Sequence, residues 1–380
     1  MNMRDVAFQS PTLIAPDAME HLPKTTAAAG FSRPLMIVCG ATTTFGHLHR
    51  MRSMAPPPGR AVPFEVRHTV AHEDAIAEAL SLFHDMSCDS VIAAGSGAAL
   101  DTARAVAMLA STHAPLAEIV QRPALVRAAK PWIAVVPAPA SLVPLSDRIV
   151  ADVRGEVGTP TQRIAIDASR VRPARILCDT DCMRALPPQT VAAGLFAALM
   201  QAAETLAEAD APHANRALAA GAVRLIAGTG GLLAGVTALS DPDATALRIT
   251  AFEAAGMAAL SRNGRSIGAA SALTLALTGR HGVRHGPIAA ALLPAWTAMD
   301  GHGGAAEAAL APLVAKAGAP SVAAALTAMR DAAGLAPAIR ELGLEIDANV
   351  RKQAEALAGP DGAAAVAALA AAADAAGAMA

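Results

Sequence analysis

The sequence contains no tyrosine, and with seven phenylalanines and two tryptophans its aromatic content is only 2% of 380 residues. So few rings exclude a stacking platform for nucleic-acid bases. A net charge of −2 likewise offers no basic footprint for a phosphate backbone. Only four cysteines occur, Cys39, Cys88, Cys178 and Cys182, without the paired spacing of a zinc site. Cys178 and Cys182 are close enough to meet, but free buried thiols of a cytosolic protein are the preferred reading. The N-terminal Met1-Asn-Met-Arg-Asp5 lacks the apolar core of a signal peptide. No run of about 18 strongly apolar residues free of glycine, proline and charge is present either. A cytoplasmic protein with neither membrane nor nucleic acid as partner is expected.

What the chain has instead is alanine. Apolar residues make up 54% and charged residues 16%, the balance of a globular protein, and the length suffices for two domains with full cores. Small side chains predict closely packed helices.

One stretch orders the rest: Ser90-Val-Ile-Ala-Ala-Gly-Ser-Gly-Ala-Ala-Leu-Asp-Thr-Ala-Arg104. Val91–Ala94 reads as a buried strand, Gly95-Ser96-Gly97 as a turn, and Ala98 to about Ala110 as a helix. Strand, glycine turn and helix present backbone N–H groups and a positive helix end to an anion, usually a phosphate. A tight turn with no ligand is the competing reading, so context has to decide.

That context is α/β. Residues 5–14 read as extended and 17–29 as a short helix; Pro34–Cys39 is a strand whose loop is Gly40–Thr44, and Phe45–Met54 is helical up to Pro56-Pro-Pro-Gly59. Val62–Val66 and Trp132–Pro137 are further strands, with a helix over His72–Met86 between them. Ile149–Val153 with Arg163–Ile166 predict a hairpin, and Ala174–Cys178 a last strand. Alternation of this kind predicts a parallel sheet. The texture changes near Leu186-Pro-Pro188. From there to Ala380 helix follows helix, over about 189–208, 212–227, 243–262, 266–279, 288–299 and 304–317. The expected domains are therefore an α/β dinucleotide-binding domain over 1–186 and an all-α domain over 187–380, with a ligand cleft between such halves.

At these landmarks the chain resembles the iron-containing alcohol dehydrogenase superfamily, and within it the maleylacetate reductases most. Arg4-Asp-Val-Ala-Phe-Gln-Ser10 is similar to the first strand of that family, and Gly95 to Arg104 to its pyrophosphate loop, with Ser96 and Asp101 in place and Arg104 for the usual lysine. Pro137-Ala138-Pro-Ala140 sits where the family has its nicotinamide loop. Arg175–Asp179 through Leu186-Pro187 resembles the link into the helical domain, and His285-Gly286 the family's His-Gly motif. The resemblance implies a dehydroquinate synthase-like fold, NADH or NADPH as cofactor, and a homodimer, or a heteromer with an active relative.

The resemblance also implies where a metal would bind, and this chain departs from it there. The first helix of the second domain places the Asp and His ligands on Ala197 and Gln201, or in an alternative register on Phe196 and Met200. The third ligand falls on Ser271 and the fourth on His285, and a family histidine linked to proton transfer falls on Leu275. Ala, Gln and Ser are poor substitutes for Asp and His, so no catalytic metal is expected. Gln201 and Ser271 are expected to meet as a neutral hydrogen-bonded pair in its place. The nicotinamide loop is altered as well, with Leu142-Val-Pro144 where the reductases carry a Gly-Ser-Glu run.

Candidate catalytic residues are His285 as acid or hydrogen-bond donor, with His281, Arg280 and Arg284 beside it; the arginines suit a bidentate grip on a carboxylate. Ion pairing or plain solvent exposure is the competing reading for them. Ser146 and Asp147 read equally as ligand contacts or as caps. Candidate cofactor residues are Gly95, Ser96, Gly97, Asp101, Gly40, Thr42, Pro137 and Ala138. Cys39-Gly-Ala-Thr42 offers no carboxylate for an adenosine ribose, so NADPH is not expected to be repelled, and Thr42–Thr44 are candidates for a 2′-phosphate. Two functions remain open. One is a metal-independent NAD(P)H-linked reductase of a small keto or unsaturated carboxylic acid, as in aromatic compound catabolism; the other is a divergent relative without redox activity, a non-redox enzyme or a binding subunit.

Overall fold

Short runs of Val, Ile, Leu and Ala alternate with helices through the front of the chain, and in the computed structural model they form one parallel sheet. The structure describes residues 10–44, 46–54, 61–95, 97–112, 114–126, 128–142, 145, 147–154, 161–235, 239–241, 244–299 and 303–379. Residues 4–9 of the expected first strand, Phe45, the 56–59 turn, Ser96, Val143, Pro144 and Ser146 lie outside them. Two compact units divide the chain between Cys182 and Met183.

Among the described residues the first unit holds nine strands: β1 (Thr12–Ala15), β2 (Pro34–Cys39), β3 (Val62–Val66), β4 (Ala71–His72), β5 (Ser90–Ala94), β6 (Trp132–Val136), β7 (Arg148–Val153), β8 (Gln162–Asp167) and β9 (Arg175–Asp179). Six of them form a sheet in the order β1-β9-β6-β5-β2-β3, every neighbouring pair parallel. Every residue of β5 and β6 is buried, which is why these strands read as unbroken apolar runs rather than alternating ones. The chain runs from β2 outward to β3, then returns to the other side of β2 at β5. Strand order therefore reverses between β2 and β5, the kind of crevice where doubly wound sheets place ligands.

The hairpin stands apart. β7 and β8 pair antiparallel, with Ile149 opposite Ile166, and β4 joins them alongside β7 in a separate three-stranded sheet. Two residues of β4 are too short a run to be legible as a strand in the sequence. Gly40–Thr44, expected as a loop, winds into a short helix.

The second unit is helical. Its Pro188–Ala207 helix begins with proline at the first helical position, where a missing N–H costs nothing. It packs against His213–Gly228, Thr245–Ser261 and His285–Ala298. Small residues bring these helices close: a Cβ added to Gly286 would stand 2.8 Å from the Ala193 backbone. The Pro188–Ala207 helix is long and apolar enough to cross a membrane by length and composition, though it contains Gly194 and Glu204 and 83% of its most apolar stretch is buried inside the fold.

Candidate functional site

At the carboxyl end of β5 the chain must turn sharply into the Gly97–Leu109 helix, and Gly95 makes the turn at φ +132°, open only to glycine. A side chain there would also collide, since its Cβ would lie 2.5 Å from Cys39 Sγ and 3.0 Å from Thr42 Oγ1. The ends of β2 and β5 thus touch at the point of strand reversal. Thr42, buried, ties them by donating its hydroxyl to Ala94 O at 3.0 Å. Gly95's own N–H donates to Val135 O across the sheet, so it is not among the groups offered to an anion. Those belong to the first turn of the helix from Gly97 onward, where N–H groups have no acceptor within the helix. The dipole of that helix adds positive potential there.

Asp101, a candidate cofactor residue, turns instead into the protein. It is 5% exposed, accepts from Arg104 at 3.3 Å and Val150 N–H at 3.4 Å, and burial pushes its carboxyl up to about 7. Arg104 also donates to Arg148 O at 2.8 Å. The pair anchors the helix to β7. Pro137 and Ala138 are half-buried at the end of β6 and lead into the 3-10 turn Pro139–Ser141, followed by buried Leu142. Asp147 lies 4.0 Å from Arg172, so an ion pair accounts for it.

The end of β2 carries no carboxylate, but the neighbouring strand does, a residue not foreseen from the sequence. Val38 on β2 lies opposite Glu65 on β3, and Glu65 Oε2 accepts from Thr43 Oγ1 at 2.8 Å. Thr42 and Thr43 therefore both direct their hydroxyls at protein acceptors; the side chain of Thr44 is outside the described residues. The outward position of Glu65 in Val62-Pro-Phe-Glu-Val66 was the available signal, since that strand alternates strictly.

In the helical unit the second cluster differs from the expected one. Ser271 meets Glu204, not Gln201: its Oγ donates to Glu204 Oε2 at 2.6 Å and its N–H to Oε1 at 2.9 Å. Ser271 stands in the first turn of the Ala269–Leu277 helix, so Glu204 satisfies an orphan N–H there from 67 positions away. Burial pushes the Glu204 carboxyl up, with Arg262 opposing. Gly268, the cap of that helix, allows the approach, because a Cβ on it would stand 2.3 Å from Glu204. Thr274 Oγ1 reaches Met200 Sδ at 3.4 Å, and Leu275 is half-buried on the same helix.

The candidate catalytic residues are spread along one turn. His285 opens the His285–Ala298 helix, half-buried, with Nδ1 3.5 Å from Thr278 Oγ1. Arg284 caps that helix and is exposed. His281 is exposed at φ +50° between Gly279 at +86° and Gly282 at +74°, so the four-residue spacing of the two histidines is not helical. Arg280 pairs with Asp347 at 3.2 Å, the ion-pair alternative weighed for it.

The sequence model of the family described as "Iron-containing alcohol dehydrogenase" matches residues 10–151. Over the whole length the match is structural. An alcohol dehydrogenase from Oenococcus oeni superposes with a TM-score of 0.82 at 18% identity, covering 98% of this chain and 100% of its own. The chain has the iron-containing alcohol dehydrogenase fold. Sulfoacetaldehyde reductase from Bifidobacterium kashiwanohense, solved with NAD+, gives 0.76 at 18% identity, covering 97% of this chain and 99% of that one. Maleylacetate reductase from Rhizobium sp. strain MTP-10005 gives 0.71 at 17%, covering 98% of both. No curated protein matches by sequence. The sequence match over residues 10–151 and the structural likeness over the whole length point to the same fold.

The side chains at the four positions where the resemblance implies metal ligands do not make a donor set that fits an ion. Ala197, 1% exposed, has no donor atom, and the Ser271 hydroxyl is directed at Glu204. Gln201 and His285 remain, a neutral amide and one imidazole. Among the described residues no group of three His, Cys, Asp or Glu side chains is placed to hold a metal ion.

Proposed function

We propose that the chain is a metal-independent, nicotinamide-linked oxidoreductase resembling maleylacetate reductase, acting on a small keto or unsaturated carboxylic acid. The observation that carries this reading is the Gly95 turn at the point where strand order reverses, with a helix of thirteen residues starting just beyond it. Gly97 and the first turn of its helix would hold the pyrophosphate, with Gly40 and Thr42 on one side and Pro137 and Ala138 on the other; Ser96 belongs to the same loop. When bound, the nicotinamide supplies the hydride. The NAD+ complex of the Bifidobacterium reductase supports that choice of cofactor.

His285 is assigned the proton, with its ring held beside the Thr278 hydroxyl. Arg284 and His281 are assigned to the acid's carboxylate. Arg280 joins them only by giving up Asp347.

A specific observation favours a second reading, a relative that binds dinucleotide without turnover. Arg280, one of the two arginines proposed to grip the acid, is already paired with Asp347, and Ser271, one of the implied metal-ligand positions, is bonded to Glu204.

Titration of the purified protein with NADH and NADPH by fluorescence, followed by assays with maleylacetate and simple aldehydes, tests both. Saturable binding and oxidation of the cofactor by the acid are expected. Binding without oxidation supports the second reading, and no binding of either dinucleotide removes both.

A further inference from the structure

The carboxyl end of β3 carries a charge placed beside the dinucleotide turn. Glu65 is exposed, yet one carboxylate oxygen is fixed by Thr43 Oγ1 at 2.8 Å. Its other oxygen lies 3.8 Å from the position a Cβ would occupy on Gly40, at the end of β2. A side chain rooted on the outer strand thus reaches back over its neighbour, which offers only a glycine there. β2 lies next to β5, one strand spacing of about 4.8 Å from the strand that ends in the Gly95 turn.

We propose that Glu65 selects NAD(H) over NADP(H), accepting hydrogen bonds from the adenosine ribose 2′-hydroxyl and repelling a 2′-phosphate. The proposal rests on the dinucleotide reading above. In doubly wound sheets the ribose of a dinucleotide lies over the strand next to the phosphate turn, where an acidic side chain accepts from its hydroxyls. Here that strand ends in Cys39-Gly40, and the acid arrives from the strand beyond. Opposite charge is also present: Arg67 follows β3 directly and is exposed. Glu65 outweighs it because its carboxylate is anchored over Gly40 by Thr43. With the carboxylate removed, Arg67, the charged residue that follows β3 in the chain, is left to favour a phosphate.

The test is direct binding of NADH and NADPH to the intact protein and to Glu65→Gln, by calorimetry or fluorescence. NADH is expected to bind the native chain at least about tenfold more tightly than NADPH. Glu65→Gln is expected to bring the two within about threefold, mainly by strengthening NADPH. Glu65→Ala, which also removes the Thr43 acceptor, is expected to shift the ratio the same way with an unchanged melting temperature. Equal affinities in the native chain, or a ratio unmoved in both variants, would overturn the role of Glu65 while leaving the dinucleotide site standing. Failure of both dinucleotides to bind any form overturns the site itself and Glu65's role with it.

Discussion

Ser271 gives both its hydroxyl and its backbone N–H to the two oxygens of Glu204, at 2.6 Å and 2.9 Å. The resemblance implies a metal-ligand position at Ser271, and here its hydroxyl is engaged by a carboxylate that clamps two helices. Ser271→Ala is expected to lower unfolding free energy by about 1–3 kcal/mol, because a buried carboxylate loses a donor. Urea denaturation measures it. No loss of stability would mean that the hydroxyl is not held by Glu204.

The same contact bears on metals. Treatment with a chelator is expected to leave dinucleotide binding, and any turnover, unchanged, because the remaining donors are one amide and one imidazole. Elemental analysis of the purified protein should find well below one metal ion per chain. Stoichiometric iron or zinc that restores activity would contradict the reading of these substitutions.

Burial pushes the Asp101 carboxyl up to about 7, well above the usual carboxylate range, so the neutral form is the one the fold favours. The stability it contributes is full below about 3.8 and is lost as pH rises through about 7. Melting temperature should therefore fall between pH 5 and pH 8 more steeply in the native chain than in Asp101→Asn. Parallel pH profiles would show that Asp101 is ionised throughout.

Two glycines make opposite predictions about function. Gly286→Ala forces a methyl within 2.8 Å of the Ala193 backbone, so stability should fall by about 1–3 kcal/mol with dinucleotide affinity retained. Gly95→Ala puts a methyl against Cys39 and Thr42 at a φ that alanine avoids, so dinucleotide binding should be lost. Comparable affinities in the two variants would sever the Gly95 turn from binding.

The layered α/β front and helical back were legible because each has its own hydrophobic period: the central strands β2, β5 and β6 lie on apolar runs, and β3 alternates. β4 was not, since two residues carry no period. Contacts that cross the sequence were the harder part. Gly40–Thr44 looked like a loop because its glycine and threonines favour turns, and nothing local announces that Thr43 is held by Glu65 on the next strand. Gln201 is paired with Ser271 only through the ligand positions that the resemblance implies. One further turn along the same helix puts Glu204 there instead, and a charged acceptor at a helix N-terminus is the stronger partner. Asp101 read as a ligand residue from its place after the glycine turn; the hairpin strand that engages it lies 49 positions on.

Cys39 offers a reporter at the centre of the account. It is half-exposed against the Gly95 turn, whereas Cys88, Cys178 and Cys182 are buried and burial pushes their thiols up. Alkylation of the native protein should modify Cys39 first, and saturating NADH should slow that reaction by about tenfold or more by covering the turn. Mass spectrometry of the labelled peptide reads both rates. Protection of Cys39 by NADH is the result predicted; a Cys39 rate indifferent to saturating NADH would show that no dinucleotide lies where β2 and β5 part.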